Sequence, residues 1–86
     1  MFDAFLGKPV VADLDAGYLV FGTLVEASAE VLIFADADLH DHAEANATKE
    51  VYALETKRFG IRANRRQVLV PRQRLVALSL LEDVCD

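Results

Sequence analysis

From Pro9 onward apolar side chains recur at every second position, interrupted by clusters of turn-forming residues, and this period of two predicts strands. Residues 10–15 read as one strand, Ala16-Gly17 as a turn, and the β-branched and aromatic run 18–25 as the returning arm of a hairpin. Gly22 lies inside that arm, where a glycine marks a sharp bend or a close approach of two backbones. Residues 26–30 form a polar connection. Residues 31–38 resume a strand with an apolar, core-forming start and an acidic, exposed end. Residues 40–49 carry no strand pattern and read as a protruding loop or one frayed helical turn, and residues 51–56 as a further strand. Phe59-Gly60 and Ala63-Asn64 punctuate a second polar excursion, and residues 68–70 and 75–80 read as the last two strands around the tight turn Arg72-Gln73-Arg74. Ahead of all this, Phe2, Phe5 and Leu6 stand at helical spacing, and Gly7 before Lys8-Pro9 stops the short helix or turn they form.

Short strands, one glycine bend and no helical stretch longer than two turns predict an all-β fold. The expectation is a small, strongly bent antiparallel barrel with a short N-terminal helix, residues 1–86 making one domain with a variable insert at about 39–67. Its expected core is Val10, Leu14, Leu19, Phe21, Leu24, Leu32, Phe34, Val68, Val70, Leu75 and Leu78. A barrel of this size does not close fully, and an apolar last strand leaves unpaired backbone groups at an edge. Pairing with another copy is the expected remedy.

The chain has 86 residues, 53% of them hydrophobic and 27% charged, which is enough apolar material for one packed core and excludes a large enzyme fold. Its N-terminus has neither a basic lead nor an apolar run of export length, and no uncharged apolar stretch approaches the roughly 20 residues that span a bilayer. A lone Cys85 allows no intrachain disulfide. The expected setting is cytoplasmic, without a membrane partner.

A formal net charge of -5 hides a strong asymmetry. Residues 1–48 hold nine acids and one base, whereas residues 57–74 hold Lys57, Arg58, Arg62, Arg65, Arg66, Arg72 and Arg74 and no acid. Guanidinium groups donate paired hydrogen bonds to phosphate, and Phe59 among them offers a face on which a base can stack. Those eight residues are the candidate nucleic-acid-binding set. The competing reading is that the arginines pair with the acidic segment 36–44, within a chain or between copies, and serve assembly.

The order of a short helix, Gly7-Lys8, Val10-x-Ala12-x-Leu14, Gly17, the bend Gly22-Thr23-Leu24, residues 32–37, a variable insert, Val68-Leu69-Val70 and Leu75-x-x-Leu78 resembles the Sm and Sm-like proteins, which include the bacterial Hfq group. The match is strongest over residues 7–37 and omits residues 39–67. The resemblance implies an N-terminal helix capping a five-stranded bent barrel whose last two strands pair across subunits into a ring of five to seven. It also implies RNA binding. However, the loop that supplies an Asn to uridine-binding members is Ser28-Ala29-Glu30-Val31 here, and Pro71-Arg72 stands in place of their Arg-Gly. The fold and the ring carry over, and the RNA pocket does not.

Other chemistry is sparse. Asp36, Asp38, His40 and His42 would share one face of a continuing strand and could meet a divalent ion, but the spacing matches no ligand signature, and a polar, solvated strand end is the favoured reading. Ser28, Ser79 and Cys85 lack partner motifs for nucleophilic catalysis. The sequence therefore points to a non-catalytic, cofactor-free homo-oligomeric ring that binds single-stranded RNA through its arginines. The alternative is a scaffold ring that binds a protein partner and no RNA.

Overall fold

The structure is a computed structural model, and it describes residues 2–42 and 48–86. Five antiparallel strands, β1 (Pro9–Leu14), β2 (Tyr18–Ala27), β3 (Val31–Asp41), β4 (Arg65–Pro71) and β5 (Leu75–Leu80), form one sheet in the order β4-β3-β2-β1-β5. One helix, α1 (Lys49–Phe59), lies between β3 and β4 in the chain. The N-terminal segment is wound as tight turns, with the Phe5 amide donating to Phe2 O at 2.9 Å and the Lys8 amide to Phe5 O at 3.2 Å. This is the turn form of the helix or turn read at that place.

Two irregularities bend the sheet. Between Phe21↔Asp38 and Thr23↔Ala35 the register slips by one residue on β3, and Asp36 there takes a positive φ of 49°. A compensating slip follows between Leu24↔Phe34 and Glu26↔Ile33 on β2. Bulges of this kind kink a strand and raise its twist. Opposite the first one, Gly22 lets the backbones close in: a Cβ there would stand 3.0 Å from Ala37 Cβ and 3.1 Å from Ala35 O. The bulge also switches the alternation of β3, so that Leu32 and Phe34 before it and Ala37 and Leu39 after it reach the same core.

The concave side of the sheet holds Val10, Ala12, Val20, Leu24, Leu32, Phe34, Ala37 and Val70, with Leu14, Val68, Leu75 and Leu78 partly buried against them. The convex side of β1 and β2 is covered as well. Val11, Leu19, Phe21 and Leu81 pack there against Tyr52 and Ala53 of α1, with Ile61 and Val84. Covering both faces explains why β1 and β2 read as near-continuous apolar runs. Each large side chain so buried contributes about 1.5–3 kcal/mol.

The helix is a correction to the strand expected at residues 51–56. Thr48 caps it, its Oγ1 accepting from the Val51 amide at 3.2 Å; Glu50 stands in the first turn, Lys57 and Arg58 in the last, and Gly60 with φ of 96° closes it. Charges that complement the helix dipole and two caps outweigh the strand preference of Val51, Tyr52 and Thr56. An 11-residue helix also exceeds the two turns expected as the longest. Of the protruding loop read at 40–49, residues 43–47 lie outside the described residues, and His40 and Asp41 belong to β3.

Replacing Gly22 by Ala forces a methyl group into backbone and Cβ contacts that cannot yield without moving β3. A loss of about 1–3 kcal/mol is expected by urea denaturation, and an unchanged midpoint would show that the bend tolerates a side chain there.

Candidate nucleic-acid interface

The basic segment 57–74 is continuous in sequence and divided in space. Arg65 and Arg66 open β4, and Arg72 and Arg74 follow its end. Seven extended residues separate these positions by roughly 20 Å.

At the far end of β4, the β4–β5 turn rests on the β2–β3 turn. Ser28 Oγ shapes that partner turn by accepting from the Glu30 and Val31 amides at 3.2 and 3.1 Å. The Arg72 amide donates to Glu30 O at 2.8 Å, and Arg72 Nη1 donates to Ser28 O at 3.3 Å. The Arg72 guanidinium also lies 4.6 Å from the centre of the Phe2 ring. A groove of about 300 Å³ lined by Phe2, Asp3, Leu6, Ala27, Ser28, Ala29 and Arg72 opens beside it. Arg74 Nε meets Asp15 Oδ1 at 2.7 Å across to the β1–β2 turn, with both side chains about half exposed. A pair so exposed contributes little to stability, and the Arg74 charge remains open to solvent.

The second basic region follows α1. Lys57 Nζ donates to Val84 O at 2.6 Å, and Arg58 meets Asp86 at 3.4 Å with both side chains largely exposed. Phe59 is 83% exposed. Arg62 lies 5.4 Å from the centre of the Tyr52 ring, and Arg65 Nη1 donates to the Asn64 carbonyl at 3.0 Å. Arg66 is exposed on β4. Neither the Arg74–Asp15 nor the Arg58–Asp86 pair involves the acidic segment 36–44 expected as partner.

That segment takes a different role. Asp38 is 4% exposed, which corrects the expectation of a solvated strand end. It accepts from the Tyr52 hydroxyl at 2.5 Å and from Asn64 Nδ2 at 3.1 Å. Asn64 continues the seam: its Oδ1 accepts from the Leu39 amide at 3.0 Å, its Nδ2 donates to Leu39 O at 3.1 Å, and its own amide donates to Ala37 O at 2.9 Å. Thr56 Oγ1, also buried, donates to Tyr52 O at 2.9 Å. This network fastens α1 and the chain after it to β3. The Asp36 bulge removes that residue from the face that Asp38 and His40 share, and His42 lies beyond the end of β3. Burial, with the hydrogen bond to Asp38 and the charge of that carboxylate, pushes the Tyr52 hydroxyl from 10 up to about 12.

No protein-family profile matches the sequence, and no curated protein matches it. Among solved structures, the chain is similar to a Sm protein of Pyrococcus abyssii in complex with a uridine heptamer, with a TM-score of 0.61 and 16% identity over 90% of this chain and 87% of that one. The chain therefore has the Sm-like fold, at an identity low enough to mark a divergent sequence.

Tyr52→Phe deletes the donor to a buried carboxylate, so a loss of about 1–3 kcal/mol is expected at neutral pH. The hydroxyl is protonated in both states below pH 10, and the unfolded chain releases its proton first as pH rises, so this stabilisation is present below pH 10 and lost between 10 and about 12. Thermal melts of both proteins across that range should converge; a constant gap would place the effect elsewhere.

Proposed function

We propose that the protein assembles into a homo-oligomeric ring of five to seven copies and binds single-stranded RNA on a ring face, without catalysis. The observation that carries the reading is the sheet order: β4 and β5 are its two outermost strands, each with one edge unpaired by any described strand, and they sit at opposite ends of an Sm-like sheet. Both outer strands expose apolar side chains, Leu69 at 57% and Val76 at 70%. Joining β4 of one copy to β5 of the next satisfies both edges and continues the sheet.

Ring symmetry repeats the β4–β5 turn once per copy, so Arg72 and Arg74 become a circle of cations beside the Phe2 and Ser28 groove. The similar archaeal Sm protein was solved with uridine RNA, which supports the same class of ligand for this fold. Arg65, Arg66, Arg62, Arg58 and Lys57 would extend the contact along a second zone, where Phe59 offers a stacking face. The lone, exposed Cys85 suits a reducing, cytoplasmic setting.

Light scattering should give a mass of several times 9.5 kDa, and Val76→Lys, which places a charge on the β5 face, should lower it toward the protomer. A monomer at high concentration would remove the edge-pairing argument.

Fluorescence anisotropy with a uridine heptamer at low salt should show binding that weakens steeply with added salt, the slope falling by about 0.7 for each phosphate contact removed. Arg72→Gln with Arg74→Gln should cost tenfold or more in affinity, and Arg65→Gln with Arg66→Gln less. A stable ring that leaves the heptamer free at micromolar concentration would instead favour the scaffold that binds a protein partner.

A further inference from the structure

The end of β3 holds a pair of side chains that RNA binding leaves unused. His40 lies on β3 beyond the Asp36 bulge, and His42 directly follows the strand's last residue, Asp41. Their ring centres are 5.9 Å apart with the planes inclined at 58°. His40 is stacked on Tyr52 at 3.8 Å and 12°, and Tyr52 is held in turn by Asp38, so the first imidazole is fixed by the helix that covers it. Nε2 of His40 and Nδ1 of His42 are both shielded from solvent and make no hydrogen bond among the described residues. A shielded polar atom without a partner costs about 1–3 kcal/mol. Two such atoms, on rings whose centres are 5.9 Å apart, can be met by one shared partner.

The chemistry of that partner follows from the donors. A neutral imidazole can present a lone pair at either nitrogen according to its tautomer, and imidazole suits zinc, nickel and copper ions. Calcium and magnesium take oxygen ligands instead. Two imidazoles sharing one ion at about 2.0–2.1 Å would have ring centres roughly 5–6.5 Å apart, and the observed 5.9 Å falls inside that span. Asp38, on the same face, is committed to Tyr52 and Asn64 and acts by positioning Tyr52 under His40. Among the described residues no three His, Cys, Asp or Glu side chains gather around an ion-sized point, so the arrangement is a two-point chelate of modest affinity.

We propose that His40 and His42 bind a divalent transition-metal ion of the zinc or nickel type. The site does not depend on the RNA-binding reading, although Arg62 lies 5.4 Å from the Tyr52 ring on which His40 stacks.

The test is a zinc titration of chelator-treated full-length protein at neutral pH in a Cys85→Ser background, which removes a competing thiol. Calorimetry should show one ion per chain at micromolar affinity, and His40→Gln and His42→Gln should each weaken binding at least tenfold. Zinc should raise the melting temperature where magnesium does not. Nickel should broaden the imidazole proton resonances of His40 and His42 in the unsubstituted protein, a readout that does not depend on a variant folding. An absence of heat and of broadening, as expected if a trapped water satisfies both nitrogens, would overturn the proposal. Undiminished binding in the doubly substituted protein would overturn it too.

Discussion

The close approach of β2 and β3 at Gly22 and the Asp36 bulge is the constraint on which the rest of the molecule depends. With no Cβ between them, the two strands bend together, and the sheet curls around Val10, Val20, Leu24 and Phe34. The strand order leaves β4 and β5 at the two ends of the sheet, each with an edge that no described strand pairs. The bulge also resets the alternation of β3, sending Ala37 and Leu39 inward and Asp38 and His40 to the convex side. One extra residue in a strand thus decides what the core and the helix-covered face each receive.

A small sheet bent this strongly still exposes its convex side, and α1 solves that problem with few apolar groups. Tyr52 and Ala53 cover Phe21 and Leu19, while the polar seam of Asp38, Tyr52 and Asn64 supplies direction that a narrow apolar stripe cannot. A carboxylate with 4% exposure is tolerable because two donors meet it. Placing the helix here also determines where Lys57, Arg58 and Phe59 emerge, beside the C-terminal residues Val84 and Asp86 that Lys57 and Arg58 meet. The two basic zones are a consequence of covering the sheet.

Much of the architecture was legible in the chain. Strands 1, 2, 3 and 5 fall where the period of two and the β-branched runs put them, and Gly22 marks the bend as read. Of the expected core, Val10, Leu19, Phe21, Leu24, Leu32, Phe34 and Val70 are buried, whereas Leu14, Val68, Leu75 and Leu78 are only partly so, since they line the open side of the curl. Val11 and Val20 were missed because both faces of β1 and β2 are covered, and alternation assumes one wet face. The helix was misread because Val51, Tyr52 and Thr56 favour strands locally, although Thr48, Glu50, Lys57, Arg58 and Gly60 held the capping and charge signals of a helix.

The strands, the bend and the basic segment can be read along the chain, because each of these rests on neighbours a few residues apart. The burial of Asp38, the tie of Asn64 to Asp38 and Leu39, and the spacing of Arg65 and Arg66 from Arg72 and Arg74 arise only in the folded chain. Those outcomes rest on pairs separated by 14 to 59 residues, from Tyr52 with Asp38 to Arg74 with Asp15. A local pattern cannot encode such a pairing. It exists only once the bulge has set the register and the curl of the sheet has brought the partners within reach.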